Sequence, residues 1–299
     1  MIKFYLILAT LGRYKEVDNF LYSLRVQTYR NFELIVVDQN DSIIIDDIIK
    51  KYSSSFPIHH IKIKEKGLSL ARNVGLRYIN SIIKNENNKE IIIAFPDDDC
   101  EYPSSLFEDV LRVFRELDNS YNIITGISID KQNKLPSSGK WKDSKCEINC
   151  KNIFQTMISY TIFIKISDIL DIFFDEKLGV GTFFSSAEET DFVYRMLKNG
   201  YKGFYYPEKI IIYHPLKGLD YKNPKDRQRA YTYGMGMGAF FKKHLVKNKD
   251  LSLLPSFIKY FFIRPIGGMF LGLAKFNISM FLYYKNVLKG RWTGLLRYC

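Results

Sequence analysis

This chain contains three consecutive aspartates, Asp97, Asp98 and Asp99, which are its clearest candidates for a binding or catalytic site. Adjacent carboxylates repel one another unless a cation or a set of hydrogen-bond donors offsets their charge. Hard divalent ions prefer carboxylate oxygens, and Mg²⁺ commonly shares them with substrate phosphates. An isolated acidic run is more often a solvated turn. The elements around the aspartates therefore decide between a binding site and a surface turn.

The residues before the aspartates indicate where in a fold they lie. Residues 91–95 are continuously apolar, which is typical of a strand buried on both faces of a parallel sheet. Pro96 cannot donate to a sheet ladder and therefore ends the strand. The aspartates then follow the carboxyl end of this strand, where open α/β sheets bind their ligands.

Strand-like and helix-like segments alternate along the chain before and after this strand. The pattern predicts strands at residues 4–9, 32–37, 58–63, 91–95, 122–129 and 201–213, the last with Pro207 at a turn. It predicts helices at residues 16–27, 43–52, 68–83, 105–117 and 187–198, with an apolar structured stretch at 153–164. Such alternation indicates a parallel sheet with right-handed crossovers. The polar stretches 85–90 and 130–150 are expected to be loops.

Charge divides the chain into two regions. Of a net charge of +12, residues 217–299 carry 16 Lys and Arg against three acids, so the first 216 residues are close to neutral. We therefore expect a domain at 1–216 and a second region at 217–299.

The four cysteines show no disulfide or zinc spacing and indicate reduced thiols in the cytoplasm. The apolar residues 1–11 are predicted to include a buried strand rather than to form a signal peptide.

The C-terminal region combines basic and aromatic residues. Residues 251–299 contain seven Lys and Arg and no acid, interleaved with Phe, Tyr, Leu and Met. Such helices are typical of an anionic membrane interface; the alternative is a helical subdomain packed on the core. Without 18 uncharged apolar residues in a row, a spanning helix is not expected. Upstream, Gly234, Gly236 and Gly238 are expected to interrupt any helix.

Other polar residues fall at predicted strand ends or helix starts, where an α/β sheet gathers its ligand contacts. They are Thr10, Arg13, Asp38, Arg72, Glu188, Glu189, Asp191 and His214. Each alone has an ordinary explanation, such as an acid that stabilises a helix start or a core histidine. Together with the aspartates, their order and spacing resembles the inverting, nucleotide-sugar-dependent glycosyltransferases of family 2. The resemblance covers roughly residues 1–216.

The resemblance implies a fold and a set of donor contacts. The fold would be GT-A: α/β and Rossmann-like, with a mostly parallel sheet and flanking helices, followed here by the basic, aromatic helical region. Asp38 matches the acid that hydrogen-bonds the nucleotide base. Arg72 matches the arginine near the diphosphate, while Thr10, Arg13 and Asp98 are assigned to donor binding.

The resemblance also implies a divalent metal, Mn²⁺ or Mg²⁺, and a general base. Asp99 would bind the metal, with Asp97 facing ribose or metal and His214 completing the site. Glu188 and Glu189 stand where the family has a Glu-Asp pair whose second member is the base. Because Glu189 replaces that aspartate, Glu189 and Asp191 both remain candidates for the base.

The implied activity is inverting sugar transfer, of the hexosyltransferase type, from a nucleotide-diphosphate sugar to an acceptor hydroxyl. The tail, through Arg264-Pro265 and the sequence Lys-Gly-Arg-Trp-Thr-Gly at 289–294, also resembles bacterial members that build surface polysaccharides on glycan or polyprenyl-linked acceptors. This resemblance implies a peripheral location on the cytoplasmic face of the membrane. A nucleotidyltransferase is a weaker alternative, since only Leu11-Gly12-Arg13 follows the first strand. Nucleic-acid binding is disfavoured because the basic excess is confined to the apolar tail. A catalytically inactive scaffold of the same fold is the remaining alternative.

Overall fold

The structure is a computed structural model that describes residues 1–84, 90–139, 141–216 and 218–299. The loop predicted at 85–90 lies outside the described residues except for its last position. The chain forms two compact units. The first comprises Met1–Lys66, Leu70–Phe173 and Phe192–Lys217. The second comprises Gly67–Ser69, Phe174–Asp191 and Gly218–Cys299, so it contains two earlier segments besides the C-terminal region.

An eight-stranded sheet forms the centre of the first unit, in the order β3-β2-β1-β4-β8-β5-β9-β7, and β6 and β10 pair separately. The strands are β1 Lys3–Thr10, β2 Phe32–Asp38, β3 Ile58–Lys62, β4 Ile91–Ala94, β5 Ile123–Thr125, β6 Ile127–Ile129, β7 Cys146–Ile148, β8 Ile162–Ile166, β9 Gly203–Tyr205 and β10 Ile211–Tyr213. The first four strands pair in parallel, whereas β8 is antiparallel to β4 and β5. The predicted mixed α/β class with a mainly parallel sheet is confirmed.

Nine α-helices accompany the sheet in the described residues. They are α1 Tyr14–Arg25, α2 Ile44–Tyr52, α3 Leu68–Ile83, α4 Leu106–Glu116, α5 Glu188–Lys198, α6 Pro224–Phe241, α7 Leu254–Phe257, α8 Arg264–Ala274 and α9 Ile278–Arg297. The apolar positions of α4 recur at helical spacing, and Leu106, Val110 and Val113 are all buried. This face anchors α4 on the core of the first unit.

Three sequence expectations about strands and loops were wrong. The strand predicted at 201–213 is divided into β9 and β10, which belong to different sheets. The predicted strand 122–129 is divided at Gly126 into β5 and β6, which belong to different sheets. A Cβ at Gly126 would overlap Ile210, so only glycine allows the chain to pass this close to its neighbour. The stretch 130–150 is not only loop, because β7 pairs antiparallel with β9 at the sheet edge.

Helices make up most of the second unit. In the described part of the chain, its most extensive packing contact is between α6 and α9. The three glycines expected to interrupt a helix lie instead within the continuous α6. A Cβ at Gly234 would lie 2.7 Å from Val287 O, and Gly290 and Gly294 of α9 face α6 in the same way. Close approach of α9 therefore explains Gly234 and Gly238, and close approach of Ser186 explains Gly236; both outweigh the intrinsic helix penalty of about 1 kcal/mol for each glycine.

Helical turns run continuously from Leu251 to Ala274, through a short 3₁₀ turn, α7, a π-helical turn and α8. By length and composition alone this run could cross a membrane, and it is the one such run among the described residues. This differs from the expectation of no spanning helix, because Lys259 and Arg264 are the only charges in it. Much of its apolar surface is exposed, including Phe270.

Candidate functional site

Three parallel strands bring polar residues to one edge of the sheet. Thr10, the last residue of β1, lies opposite Asp38, the last residue of β2. β4 pairs with β1 on its other side, and the chain then turns through the three aspartates. The predicted convergence at the carboxyl ends of the strands is therefore observed for the residues of the first unit.

Asp97 is held by a buried arginine. Arg72 is 1% exposed, and its Nη2 lies 2.9 Å from Asp97 Oδ1. Ser159 links the pair, since its Oγ accepts from Arg72 at 2.8 Å and donates to Asp97 at 3.4 Å. Arg72 therefore neutralises and orients Asp97. Its predicted contact with the diphosphate stays a prediction.

Asp98 is buried between the first strand and its own neighbours. Thr10 Oγ1 lies 3.3 Å from Asp98 Oδ2, and Arg13 Nη1 lies 3.2 Å from Oδ1. Burial raises the pKa of Asp98 to about 7; Arg13 opposes this shift, while the charges of Asp97 and Asp99 add to it. In the metal-free chain, Asp98 thus exchanges its proton near neutral pH.

This titration predicts a pH-dependent stability that Asp98→Asn removes. Between about pH 4 and pH 7 the folded state retains a proton that the unfolded state has lost, so wild-type stability falls as the pH rises. We expect the variant to exceed the wild-type Tm at pH 8 by roughly a few degrees, and by less at pH 5. Thermal melts in chelator measure this, with the exposed Asp47→Asn as control. A pH-independent difference would contradict the assignment.

Asp99 faces His214. His214 Nε2 lies 3.2 Å from Asp99 Oδ1, and Arg13 Nη1 lies 2.5 Å from Asp99 Oδ2. On the other side of the imidazole, Nδ1 lies 2.9 Å from the carbonyl oxygen of Pro215, while the ring stacks on Tyr160 at 4.9 Å. Nδ1 also lies 3.0 Å from Ser138 Oγ, so partners on both sides of the ring hold Nε2 towards Asp99.

This geometry meets part of what a metal requires. Among the residues that the structure describes, no three His, Cys, Asp or Glu side chains gather to hold an ion. Asp99 and His214 nevertheless offer an oxygen and an oriented nitrogen side by side, a donor pair that suits Mn²⁺ with phosphate oxygens completing the coordination. Asp97, the third predicted ligand, faces Arg72. Asp99 and His214 therefore offer two of the ligands that a metal would need.

Asp38 is wholly buried and held from two sides. Asn40 donates to Oδ1 through its backbone at 2.9 Å and its side chain at 2.7 Å. His60 Nε2, from β3, lies 3.0 Å from Oδ2. His60 was not predicted from the sequence, although the register of β2 and β3 places it two positions from the end of β3. Ser159 and Tyr160 were missed because they lie on a short 3₁₀ turn without a distinctive pattern.

The remaining predicted residues belong to the second unit, at the start of α5. Glu188 and Asp191 are buried, and Glu189 is partly exposed. Asp191 lies 2.8 Å from Lys243 Nζ and 2.7 Å from His244 Nε2. Neither partner was anticipated from the sequence. Asp191 is thus buried and paired with two side chains, whereas Glu189 is partly exposed, and the choice between them as base stays a prediction.

Comparison with known proteins places this arrangement in a family. The family described as Glycosyl transferase family 2 matches residues 5–168, more than half of the chain. The chain belongs to glycosyl transferase family 2. The matched region carries the three aspartates, Asp38 and Arg72. The predicted family is therefore confirmed.

Relatives of this family 2 protein are distant. An "Uncharacterized glycosyltransferase" of Haemophilus influenzae is 31% identical over 115 residues, which span 38% of this chain and only 35% of that protein. Among solved structures, S. aureus TarS 1-349 has a TM-score of 0.58 at 16% identity, covering 97% of this chain and 92% of that one. The mannosyltransferase PcManGT from Pyrobaculum calidifontis, in complex with GDP-Man and Mn²⁺, has a TM-score of 0.65 at 11% identity, covering 98% and 87%. These likenesses confirm the predicted fold.

Proposed function

We propose that this chain transfers a sugar from a nucleotide-diphosphate sugar to an acceptor hydroxyl. The observation that carries the proposal is the facing pair of Asp99 and His214 beside Arg13, at the carboxyl ends of the parallel strands. That edge is where open α/β sheets bind nucleotides. Family membership supports the reaction class, and structures of similar fold bind UDP-GlcNAc and GDP-Man.

Donor recognition is assigned to residues of the first unit. Asp38, oriented by Asn40 and His60, would accept a hydrogen bond from the nucleotide base. Thr10 and Arg13 would hold Asp98 and the phosphate end of the donor. Arg72 keeps Asp97 in place for the ribose. The carboxylates of Asp97, Asp98 and Asp99 around Arg13 favour a divalent cation, which an anionic diphosphate would need in order to bind at this edge.

A bound divalent metal, held by Asp99 and His214 with Asp97 nearby in sequence, would offset the charge that develops on the leaving diphosphate. The remaining chemistry is assigned to the acids of α5. Glu189 would take the proton of the acceptor hydroxyl as it attacks the anomeric carbon, which gives inversion. Glu188, next to it, would shape the same turn. This transfer would be of the hexosyltransferase type.

The acceptor is proposed to be a glycan or polyprenyl-linked sugar at the cytoplasmic membrane face, as in bacterial surface polysaccharide synthesis. The support is an exposed apolar surface on the second unit, flanked by basic residues without acids. The most exposed apolar side chains of residues 251–299 are Leu251, Ile263, Phe270, Phe276, Ile278 and Leu296. Phe276 is 95% exposed between α8 and α9, next to Lys275. Such a surface gains from apolar insertion and from anionic lipid.

The membrane proposal predicts that Phe276→Asp weakens vesicle binding. The full chain should co-sediment with anionic vesicles at low salt and be released as salt rises. Losing one inserted phenylalanine should lower the binding constant about tenfold or more. Leu135→Asp, at an exposed position of the first unit, is the matched control. Absence of vesicle binding by the folded full chain would contradict the proposal. Truncation at residue 250 is unsuitable because α9 packs on α6.

A screen of nucleotide sugars tests the reaction class. The purified chain should hydrolyse one or a few nucleotide-diphosphate sugars slowly, and only with Mn²⁺ or Mg²⁺ present. Calorimetry with the matching nucleoside diphosphate should show binding that requires the metal. Metal-independent binding of nucleotides, or hydrolysis of none across the panel, would reject the function.

A further inference from the structure

Lys243, in the second unit, forms ion pairs with both ends of a segment that leads into the acidic turn 188–191. Residues 174–187 consist of turns and a single bridge before α5 begins, with Asp175 near their start and Asp191 just beyond them in the first turn of α5. Lys243 Nζ lies 2.6 Å from Asp175 Oδ2 and 2.8 Å from Asp191 Oδ1. Lys243 therefore closes this segment into a loop by ion pairs at both ends.

The neighbouring residue reinforces one end. His244 is buried, and its Nε2 lies 2.7 Å from the same Asp191 oxygen. Consecutive residues of an α-helix point about 100° apart, whereas Lys243 and His244 reach one carboxylate. Both lie in a π-helical turn, Lys242–Lys247. Such turns are rare and occur frequently at functional sites.

Tyr298 reinforces the other end. Its hydroxyl donates to Asp175, and its buried ring meets Phe184 edge-on at 5.4 Å within a small apolar cluster. Burial raises the pKa of Asp175, but hydrogen bonds from Lys243 and Tyr298 outweigh it, so the net pKa is lowered. Asp175 is therefore an anion at neutral pH and a firm partner for Lys243.

The anchored segment leads directly into the proposed base. Glu188 and Glu189 precede Asp191 by three and two residues in the first turn of α5. Glu188 also packs against Gly179, where a Cβ would lie 3.2 Å from the carboxyl carbon. Ser69 Oγ donates to the carbonyl of Leu178 at 2.6 Å. The backbone that carries Glu189 is thus located by Asp191 and its partners.

We propose that Lys243 and His244 are positioning residues: they hold the turn 188–191 in place and so set the rate of sugar transfer without touching the donor. This inference rests on the proposed function, since it takes Glu189 as the base. Small displacements of a catalytic group reduce rates strongly, with about 1 Å costing up to about 100-fold. Lys243 is the better target for a test, because Asp191 keeps His244 and Asp175 keeps Tyr298 when Lys243 is removed.

The test compares Lys243→Met with Lys222→Met, an exposed lysine of the same unit, in the full chain. Hydrogen exchange reports on residues 176–190, steady-state kinetics on transfer, and calorimetry on nucleoside-diphosphate affinity. We expect Lys243→Met to exchange faster in this segment and to lose about tenfold or more in kcat. KM for the donor and the nucleotide affinity should stay near wild type, and the control should match wild type throughout.

A folded Lys243→Met with wild-type kcat would overturn the inference, as would an equal loss in nucleotide affinity. If Lys243→Met does not fold, Tyr298→Phe removes a single oxygen from the same cluster and should change exchange and kcat in the same direction; no change in either would also overturn it. Failure of the proposed function is recognised separately, because wild type would then hydrolyse no nucleotide sugar, whatever the exchange of residues 176–190 shows.

Discussion

Glu189→Gln should reduce sugar transfer by about 10²–10⁴-fold, the usual contribution of a general base. The substitution preserves size and removes only the charge that accepts the acceptor proton. Because Glu189 lies in the second unit and the donor contacts are assigned to the first, nucleotide affinity should change little. Initial rates with saturating donor, together with calorimetric nucleotide binding, measure both quantities.

Two comparisons sharpen this experiment. Glu176→Gln changes an exposed glutamate of the same unit and should retain wild-type rates. Asp191→Asn removes the charge from a wholly buried carboxylate paired with Lys243 and His244, so we expect lower thermal stability as well as lower activity. A larger rate loss for Asp191→Asn with unchanged stability would assign the base to Asp191 instead.

Asp99→Ala should abolish Mn²⁺-dependent donor hydrolysis while the fold is retained. The carboxylate is the oxygen partner of His214 in the proposed metal pair, and no other described acid faces that nitrogen at this distance. Metal-dependent nucleotide binding should be lost together with activity. Titration of the metal by calorimetry, in the presence of nucleoside diphosphate, separates lost metal binding from lost structure.

The exposed Asp47→Ala is the control for a surface carboxylate and should behave as wild type. Asp97→Ala should act differently from Asp99→Ala. Because it leaves the buried Arg72 guanidinium without this carboxylate, it should lower stability and donor affinity together. Near-native activity of Asp99→Ala would mean that the three aspartates form only a structural turn.

The sequence predicted the elements whose pattern is continuous. The bounds of α3 are those expected, because its apolar periodicity runs unbroken to Ile83. The edge that gathers Thr10, Asp38 and the aspartates followed from the rule that parallel strands end together. His214 lies 3.2 Å from Asp99, while its predicted part in a metal site stays a prediction.

Other features depend on information that a linear pattern lacks. The partnership of His60 with Asp38 depends on the register of two strands. The ion pairs of Asp191 join residues more than 50 positions apart and require a π-helical turn, which has no recognised signature. Glycine carries a helix penalty that the sequence shows, whereas the tight packing that offsets it is visible only in three dimensions.

The glycine contact between α6 and α9 has a genetic consequence. In an ordinary core, a residue that becomes too large can be rescued when a neighbour becomes smaller. Here the atoms that a new side chain at Gly238, Gly290 or Gly294 would strike are main-chain atoms of Arg291, Tyr231 and Met235. No amino-acid substitution on the opposite helix removes these backbone atoms. A selection for second-site suppressors of Gly290→Val or Gly294→Val should therefore yield reversions to small residues at the mutated position rather than compensating changes on the opposite helix.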